Sequence, residues 1–267
     1  MTLFHSIVIP SRNRNQQLLL AIWSIKRSAA FCGIKNYEIV IVDSHSANPP
    51  KSESNVSVLF DTNPKGLLNK PRCQNIGIDS AVGDALTFLD ADALVSLRWM
   101  EGISELEKHP RLTRLCYRVR YLPSDYIAAV QSSESRERTV DKLFAEYDTY
   151  LLAHEAYGRP ENNRHSCGPI FGNSQFSMRR DVLGDLRYDD EYVGRGHEDL
   201  AFIRETWMRD PESYRAKILT DPEHAIFHFA NSLGGPDWRN KNQAARNERR
   251  YYNTWNGKQR LLPISKK

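Results

Sequence analysis

His5–Pro10 (HSIVIP) and Tyr37–Val42 (YEIVIV) are short β-branched runs, each halted by a polar cluster. Between them Leu18, Ile22, Ile25 and Ala29 recur at helical spacing through Gln16–Phe31. Strand, helix, strand within about 40 residues is a βαβ unit, whose strands are parallel and joined by a right-handed crossover. No other feature of the chain constrains its fold as strongly. The pattern then repeats. Val56–Phe60 is a third candidate strand, Leu67–Ala81 a second helix with Gly83 near its end, and Ala85–Leu89 (ALTFL) a fourth strand. An α/β fold follows, an open doubly wound sheet, mostly parallel and flanked by helices. Ligands of such sheets sit at the carboxyl ends of the strands. Pro10–Arg14, Asp43–Ser46 and Asp90–Asp92 all fall at that edge.

The second half is less regular. Leu115–Leu122 alternates as one strand. Ser135–Tyr157 carries Val140, Leu143, Phe144, Tyr147 and Leu151 on one helical face. Gly168–Met178 is a glycine-containing strand and turn, and Glu198–Met208 is a helix. With 267 residues, no internal repeat and no Pro/Gly/Ser-rich linker, the chain reads as a single domain. Residues 1–95 form its nucleotide-binding half, 96–234 its acceptor-binding half and 235–267 a basic tail.

Composition narrows the function classes. Hydrophobic residues make up 40% and charged residues 26%, as in an ordinary globular protein, and no apolar run reaches membrane-spanning length. Met1 leads straight into a strand without the zones of a signal peptide, so a cytoplasmic location is expected. Cys32, Cys73, Cys116 and Cys167 are scattered, which argues against a zinc knuckle or a disulfide framework. The net charge of +4 is uneven. Residues 235–267 hold nine Lys/Arg against two acids, +7, leaving −3 for the rest. Such a tail can meet a nucleotide diphosphate, an anionic membrane or nucleic acid, or can be a solvated helix face.

Asp90-Ala91-Asp92 is the sharpest chemical feature. Two carboxylates directly after a buried strand need a partner, because buried charge is expensive. A hard divalent cation, Mn²⁺ or Mg²⁺, supplies one, taking oxygen ligands and bridging to phosphate. A pair of solvated turn aspartates is the plainer reading. Gly194-Arg195-Gly196-His197-Glu198-Asp199 places an acidic pair at a helix start. There acids are favourable through the helix dipole alone, yet one of them is also suited to act as a general base. His224 and His228, in EHAIFHF, are core histidines or completions of a carboxylate metal site.

These segments, in order, resemble the family 2 glycosyltransferases and their GT-A relatives. IVIPSRNR is similar to their opening strand and nucleotide loop, and EIVIVDSHSAN to their second strand. NPKGLLNKPRCQNIGIDSAVGDALTFLDADA follows their run into the metal motif. GPIFGNSQFSMRRDVL and GRGHEDLAFIRETW resemble their acceptor-side elements. The likeness covers about 1–230 and implies a GT-A (Rossmann-like) fold and transfer from a nucleotide-sugar, a UDP-sugar by preference.

Carried over position by position, the resemblance implies that Pro10, Ser11 and Arg14 flank the nucleotide and Asp43 meets the base. It puts Arg72 and Asn75 near base, ribose or diphosphate, and Asp90 with Ala91 against the donor. Asp92 and His228, in preference to His224, would hold Mn²⁺ or Mg²⁺. Asp199 would be the general base of an inverting transfer, with Glu198 orienting the acceptor. Arg12 stands where an aromatic is common, and Ser44 where a second acid is common.

Arg239 or Lys241 would close over the diphosphate as a lid. Trp99, Tyr126, Tyr157 and Trp238 are candidate saccharide-stacking rings or packing residues. The acceptor would be a glycan, lipid-linked or small-molecule hydroxyl, and the tail a peripheral membrane contact. A retaining transferase, a non-catalytic sugar-nucleotide binder, a nucleotidyltransferase (disfavoured by the absence of glycine in Pro10–Asn15) and a nucleic-acid module resting on the tail alone are the rival readings.

Overall fold

The computed structural model describes residues 3–62, 68–122, 124–132, 134–147, 175–194, 196–229 and 241–255. Its centre is a seven-stranded sheet. In chain order the strands are β1 (His5–Ser11), β2 (Tyr37–Asp43), β3 (Val56–Phe60) and β4 (Ala85–Phe88), then β6 (Arg114–Tyr117), β8 (Phe176–Arg179) and β9 (Ala216–Leu219). Their spatial order is β3-β2-β1-β4-β8-β6-β9. β1 pairs parallel with both β2 and β4, β2 with β3, and β6 with β9, while β8 runs against both of its neighbours. The sheet is therefore mixed and mostly parallel. The chain leaves β1 toward β2 and β3 on one side, then returns to place β4 on the other. The carboxyl ends of β1 and β4 thus flank a topological switch point, where the rule for open α/β sheets puts the ligand.

The continuous apolar character of β1 has a direct cause. Ile7 and Ile9 point to one face, packing against Leu18, Ile22 and Ile25 of α1 (Asn15–Cys32) and against Trp99 and Met100 of α3 (Trp99–Ile103). Val8 points to the other, packing with Ile78 of α2 (Lys70–Ser80) and Phe202 and Trp207 of α8 (Glu198–Arg209). Both faces are covered there, so Ile7–Ile9 are apolar at successive positions rather than alternating with polar residues. Full burial of each such aliphatic side chain contributes about 1.5–3 kcal/mol.

A three-stranded sheet, β5 (Ala93–Val95), β10 (Ile226–Phe229) and β7 (Val119–Leu122), lies beyond the switch point in the order β5-β10-β7. Its core, Leu94, Phe227, Phe229 and Leu122, is covered by Val140 and Leu143 of α6 (Arg136–Ala145). The alternating run expected as one strand over Leu115–Leu122 is therefore two. Arg118 separates β6 in the large sheet from β7 in the small one. Its amide donates to Leu219 and its carbonyl accepts from Ile226, so the chain changes partners there. The helix expected over Ser135–Tyr157 is α6 for its first turns, and 148–157 lie outside the described residues. Among the described residues no helix is long and apolar enough to cross a membrane.

The stretch marked as a basic tail contains α9 (Lys241–Trp255), and α9 packs onto the body. Tyr251 and Trp255 bury against Tyr192 and Ala201. The Arg204 guanidinium lies 5.7 Å from the Tyr251 ring and 5.0 Å from that of Trp255. Arg250 makes a two-pronged pair with Asp189 at 2.8 and 3.0 Å. Asn247 donates to the Val193 carbonyl. Part of the tail's charge and aromatic content is used as a clamp on 189–204.

Candidate active site

Three loops meet at the switch point. The loop after β1 and the loop after β2 are locked to each other. Asn13 and His45 both adopt left-handed backbone, at φ 52 and 58°, and the Asn13 amide donates to Ser46 Oγ while its side chain accepts from Ala47. Pro10 and Ser11 end β1 in register with Val42 and Asp43. Asp43 is buried. One of its carboxylate oxygens accepts from the Ser46 amide, and the other, like Ser11 Oγ, is buried without a hydrogen-bond partner among the described residues. Arg72 Nε donates to the buried Asp61 at 2.8 Å. Asn75 is engaged elsewhere, its amide group donating to the Tyr188 carbonyl and accepting from the Tyr188 amide.

The third loop follows β4 and carries Asp90, Ala91 and Asp92. Ala91 turns into the core. Asp92 pairs with Arg14, the residue just before α1, and its Oδ1 lies 3.0 Å from His228 Nε2. His228 is also 3.5 Å from Asp90, and its Nδ1 faces the Phe229 carbonyl at 3.1 Å. One oxygen each from Asp90 and Asp92 and one His228 nitrogen lie within 4.8 Å of one another. Two carboxylates and an imidazole oriented through its other nitrogen form a donor set that can hold a divalent cation such as Mn²⁺. His224 lies on the turn Pro222–His224 and packs beside Gly102 instead. The small sheet explains the difference. β10 pairs antiparallel with β5, which sets His228 opposite Ala93, immediately after Asp92.

The acidic pair opens α8 beside the same cluster. Gly194, Gly196 and His197 all have positive φ (73, 103 and 69°), a turn that delivers Glu198 and Asp199 to the helix start. Lys70, first residue of α2, joins the two groups. Its Nζ is 2.8 Å from Asp90, 3.1 Å from Asp199 and 3.9 Å from Glu198. Asp90 is held further by Gln175, which donates to its carboxylate at 2.9 Å and accepts from its amide at 3.2 Å. Asp92 and Asp199, far apart in sequence, are therefore linked through His228, Asp90 and Lys70 in one charged network.

Burial and charge set the protonation states. Burial works against ionisation of Asp90 and Asp92. For Asp90, Lys70 and His228 outweigh it, and for Asp92, His228 and Arg14 do, so both carboxyls stay below the usual range. Burial lowers His228, but the same aspartates override it and push it up to about 10. At the helix the balance reverses. Burial, reinforced by Asp199 and offset by Lys70, raises Glu198 to about 7, and burial also raises Asp199.

Lys70, Asp61 and Gln175 were not marked by the sequence pattern. The expected lid residue Arg239 and the rings of Tyr157 and Trp238 lie outside the described residues, as does the side chain of Lys241. Trp99 is wholly buried against Tyr117 and is a packing residue, and Tyr126 packs at the edge of the small-sheet core.

An open α/β sheet with a metal-capable carboxylate cluster at its switch point, facing an acidic pair on a helix, defines a GT-A-like protein. The glycosyl transferase family 2 profile matches residues 6–183. The amylovoran biosynthesis glycosyltransferase AmsB of Erwinia amylovora is 33% identical over 245 residues, covering 86% of this chain and 71% of that protein. The chain belongs to glycosyl transferase family 2, and is a glycosyltransferase. Solved structures agree on the fold. The mannosyltransferase PcManGT from Pyrobaculum calidifontis, in complex with GDP-Man and Mn²⁺, matches with a TM-score of 0.60 at 16% identity, covering 99% of this chain and 67% of its own. S. aureus TarS 1-349 in complex with UDP-GlcNAc matches with a TM-score of 0.54 at 12% identity, covering 85% of this chain and 58% of its own.

Proposed function

We propose that this enzyme transfers a sugar from a nucleotide-sugar, a UDP-sugar, to an acceptor hydroxyl with inversion, Asp199 serving as the base. The observation that carries this reading is the Asp90–Lys70–Asp199 bridge, which joins the metal-capable cluster to the acidic pair. Ser11 Oγ and Asp43 Oδ2, buried and unpartnered among the described residues, support a nucleoside site beside β1 and β2. Arg72, tied to Asp61, lies at the same edge. Asp90, Asp92 and His228 would hold Mn²⁺ or Mg²⁺, which supplies positive charge against the departing diphosphate.

The residues of the chain then act as follows. Arg14, on Asp92, lies where it can neutralise donor phosphate. Glu198 binds the acceptor hydroxyl, and Asp199 takes its proton. The acceptor oxygen bonds to the anomeric carbon as the bond from that carbon to the diphosphate breaks, and the diphosphate leaves with the electron pair. The acceptor attacks the face opposite the departing diphosphate, so configuration inverts in one displacement and no covalent sugar–enzyme adduct is required. Asp199→Asn tests this: turnover should fall by about 10³-fold, the scale of losing a general base, with nucleotide affinity retained. Undiminished turnover would remove Asp199 from the role, and a product of retained anomeric configuration would remove the inverting mechanism.

A further inference from the structure

A buried lysine is costly unless paired, and Lys70 is paired three times over. Its placement is firmly set. Asn69 caps α2 by accepting from the Arg72 amide, and its own amide donates to the Asp190 carbonyl at 2.7 Å. The Gly194 amide donates to the Leu68 carbonyl at 2.9 Å. The start of α2 is thereby fastened to the 190–194 segment that leads into the acidic pair. One ammonium thus serves three carboxylates from two separate elements, and it does not serve them equally. It is 3.1 Å from Asp199 and 3.9 Å from Glu198.

Among the described residues no second cation pairs with either acid. Tyr188 is a buried phenol near both acids, Gln74 of α2 faces Asp199, and His228 lies beyond Asp90. Two neighbouring acids sharing a single counter-charge cannot both ionise cheaply, and the one nearer the cation takes the charge. We propose that Lys70 is a positioning residue that makes Asp199, rather than Glu198, the ionised member of the acidic pair and fixes its distance from the donor by bridging it to Asp90. Glu198 then keeps its proton longer as pH rises and is free to donate a hydrogen bond to the acceptor. This rests on the reading of Asp199 as base.

The test compares Lys70→Met, Lys70→Arg and Asp199→Asn in the full chain. Turnover is followed as nucleotide release from a panel of UDP- and GDP-sugars with Mn²⁺, and nucleotide affinity by calorimetry with UDP and GDP. Lys70→Met should lower kcat about 100-fold while nucleotide Kd stays within about threefold. The acid limb of its kcat–pH profile should move up by about one pH unit or more, a change that loss of mere packing would not produce. Lys70→Arg should keep the limb at the wild-type position.

Lys70→Met with kcat within about threefold of wild type and an unmoved limb would overturn the proposal. So would a nucleotide Kd that weakens in step with kcat, which would make Lys70 a donor ligand. If Lys70→Met does not fold, Lys70→Arg carries the test alone: its displaced charge should lower kcat about tenfold without moving the limb, and wild-type kcat would refute positioning. Asp199→Asn separates the two failures. An inactive Asp199→Asn beside a normal Lys70→Met removes the lysine's role only, whereas an active Asp199→Asn removes the base reading beneath it.

Discussion

Gly77→Ala should cost stability and activity together, through a route visible in the packing of α2 on β1. A Cβ built on Gly77 would stand 2.3 Å from Val8 Cγ1 and 3.4 Å from Val8 Cβ and Cγ2. Carbon pairs rest at about 3.5–4.0 Å, so the overlap with Cγ1 is roughly 1.2–1.7 Å. Val8 is wholly buried and β-branched, so turning its methyl away would drive it into the packed core, and the helix moves outward instead. Overpacking of this kind costs about 1–3 kcal/mol, and the better helix propensity of alanine returns about 1 kcal/mol. An overlap this large puts the cost at the upper end, about 2–3 kcal/mol, so the net loss is about 1–2 kcal/mol, or roughly 2–8 °C in Tm for a protein of this size.

Lys70 lies seven residues toward the N-terminus of the same helix, about 10 Å along its axis. An outward shift of α2 draws the ammonium from Asp199, and kcat should fall about tenfold. Differential scanning fluorimetry and steady-state turnover read both effects. Val8→Ala removes the obstructing methyl at a cost of its own, so Val8→Ala/Gly77→Ala should be more stable than the sum of the single losses by about 1 kcal/mol or more. Wild-type Tm and kcat in Gly77→Ala, or strict additivity in the double variant, would refute the reasoning.

Asp92→Asn and His228→Gln should each weaken Mn²⁺ binding by at least about tenfold in titration calorimetry, and unchanged affinity in both would exclude the cluster as a metal site. Glu198 makes a signed contribution to stability. Its carboxyl goes from 4.5 when unfolded to about 7 when folded. The folded state thus holds a proton the unfolded state has lost, and the stabilisation, complete below 4.5, disappears as pH rises through about 7. The Tm of the metal-free protein should decline across that window through this group, and Glu198→Gln should flatten the decline. An identical slope in the variant would show that Glu198 is not the group responsible.

The front of the sheet was legible because burial on both faces leaves a mark that composition cannot hide. β1, β2, β3, α1 and β4 lie within a residue or two of their expected bounds. Helix α2 starts at Lys70 rather than Leu67 because Asn69 caps it. Other elements left weaker marks. β9 is an edge strand with only Leu219 buried, and β5 is three residues long directly behind the aspartates. The switch of sheets at Arg118 is invisible to alternation, which records which side chains face a core and not which strand lies alongside.

Among the site residues, Asp90, Asp92, Glu198 and Asp199 stood out because carboxylates bordering apolar elements need an explanation. Lys70 did not, since a lysine followed by proline in a polar stretch reads as solvated. Its burial depends on partners about 20 and 130 positions away. Asn75 shows the opposite case: its residue type fits a ligand contact, yet both its polar atoms are spent on the Tyr188 backbone.

The docking of α9 onto 189–204 bears on when the enzyme becomes competent during synthesis. Domains emerge from the ribosome N-terminal part first. The strands that build the nucleotide edge are complete by residue 95, but Tyr251 and Trp255 reach Arg204 more than 150 residues later. A nascent chain therefore holds all of those strands well before the helix bearing the acidic pair is braced, and stalling or cleavage ahead of residue 241 would leave that helix without the Tyr251 and Trp255 clamp.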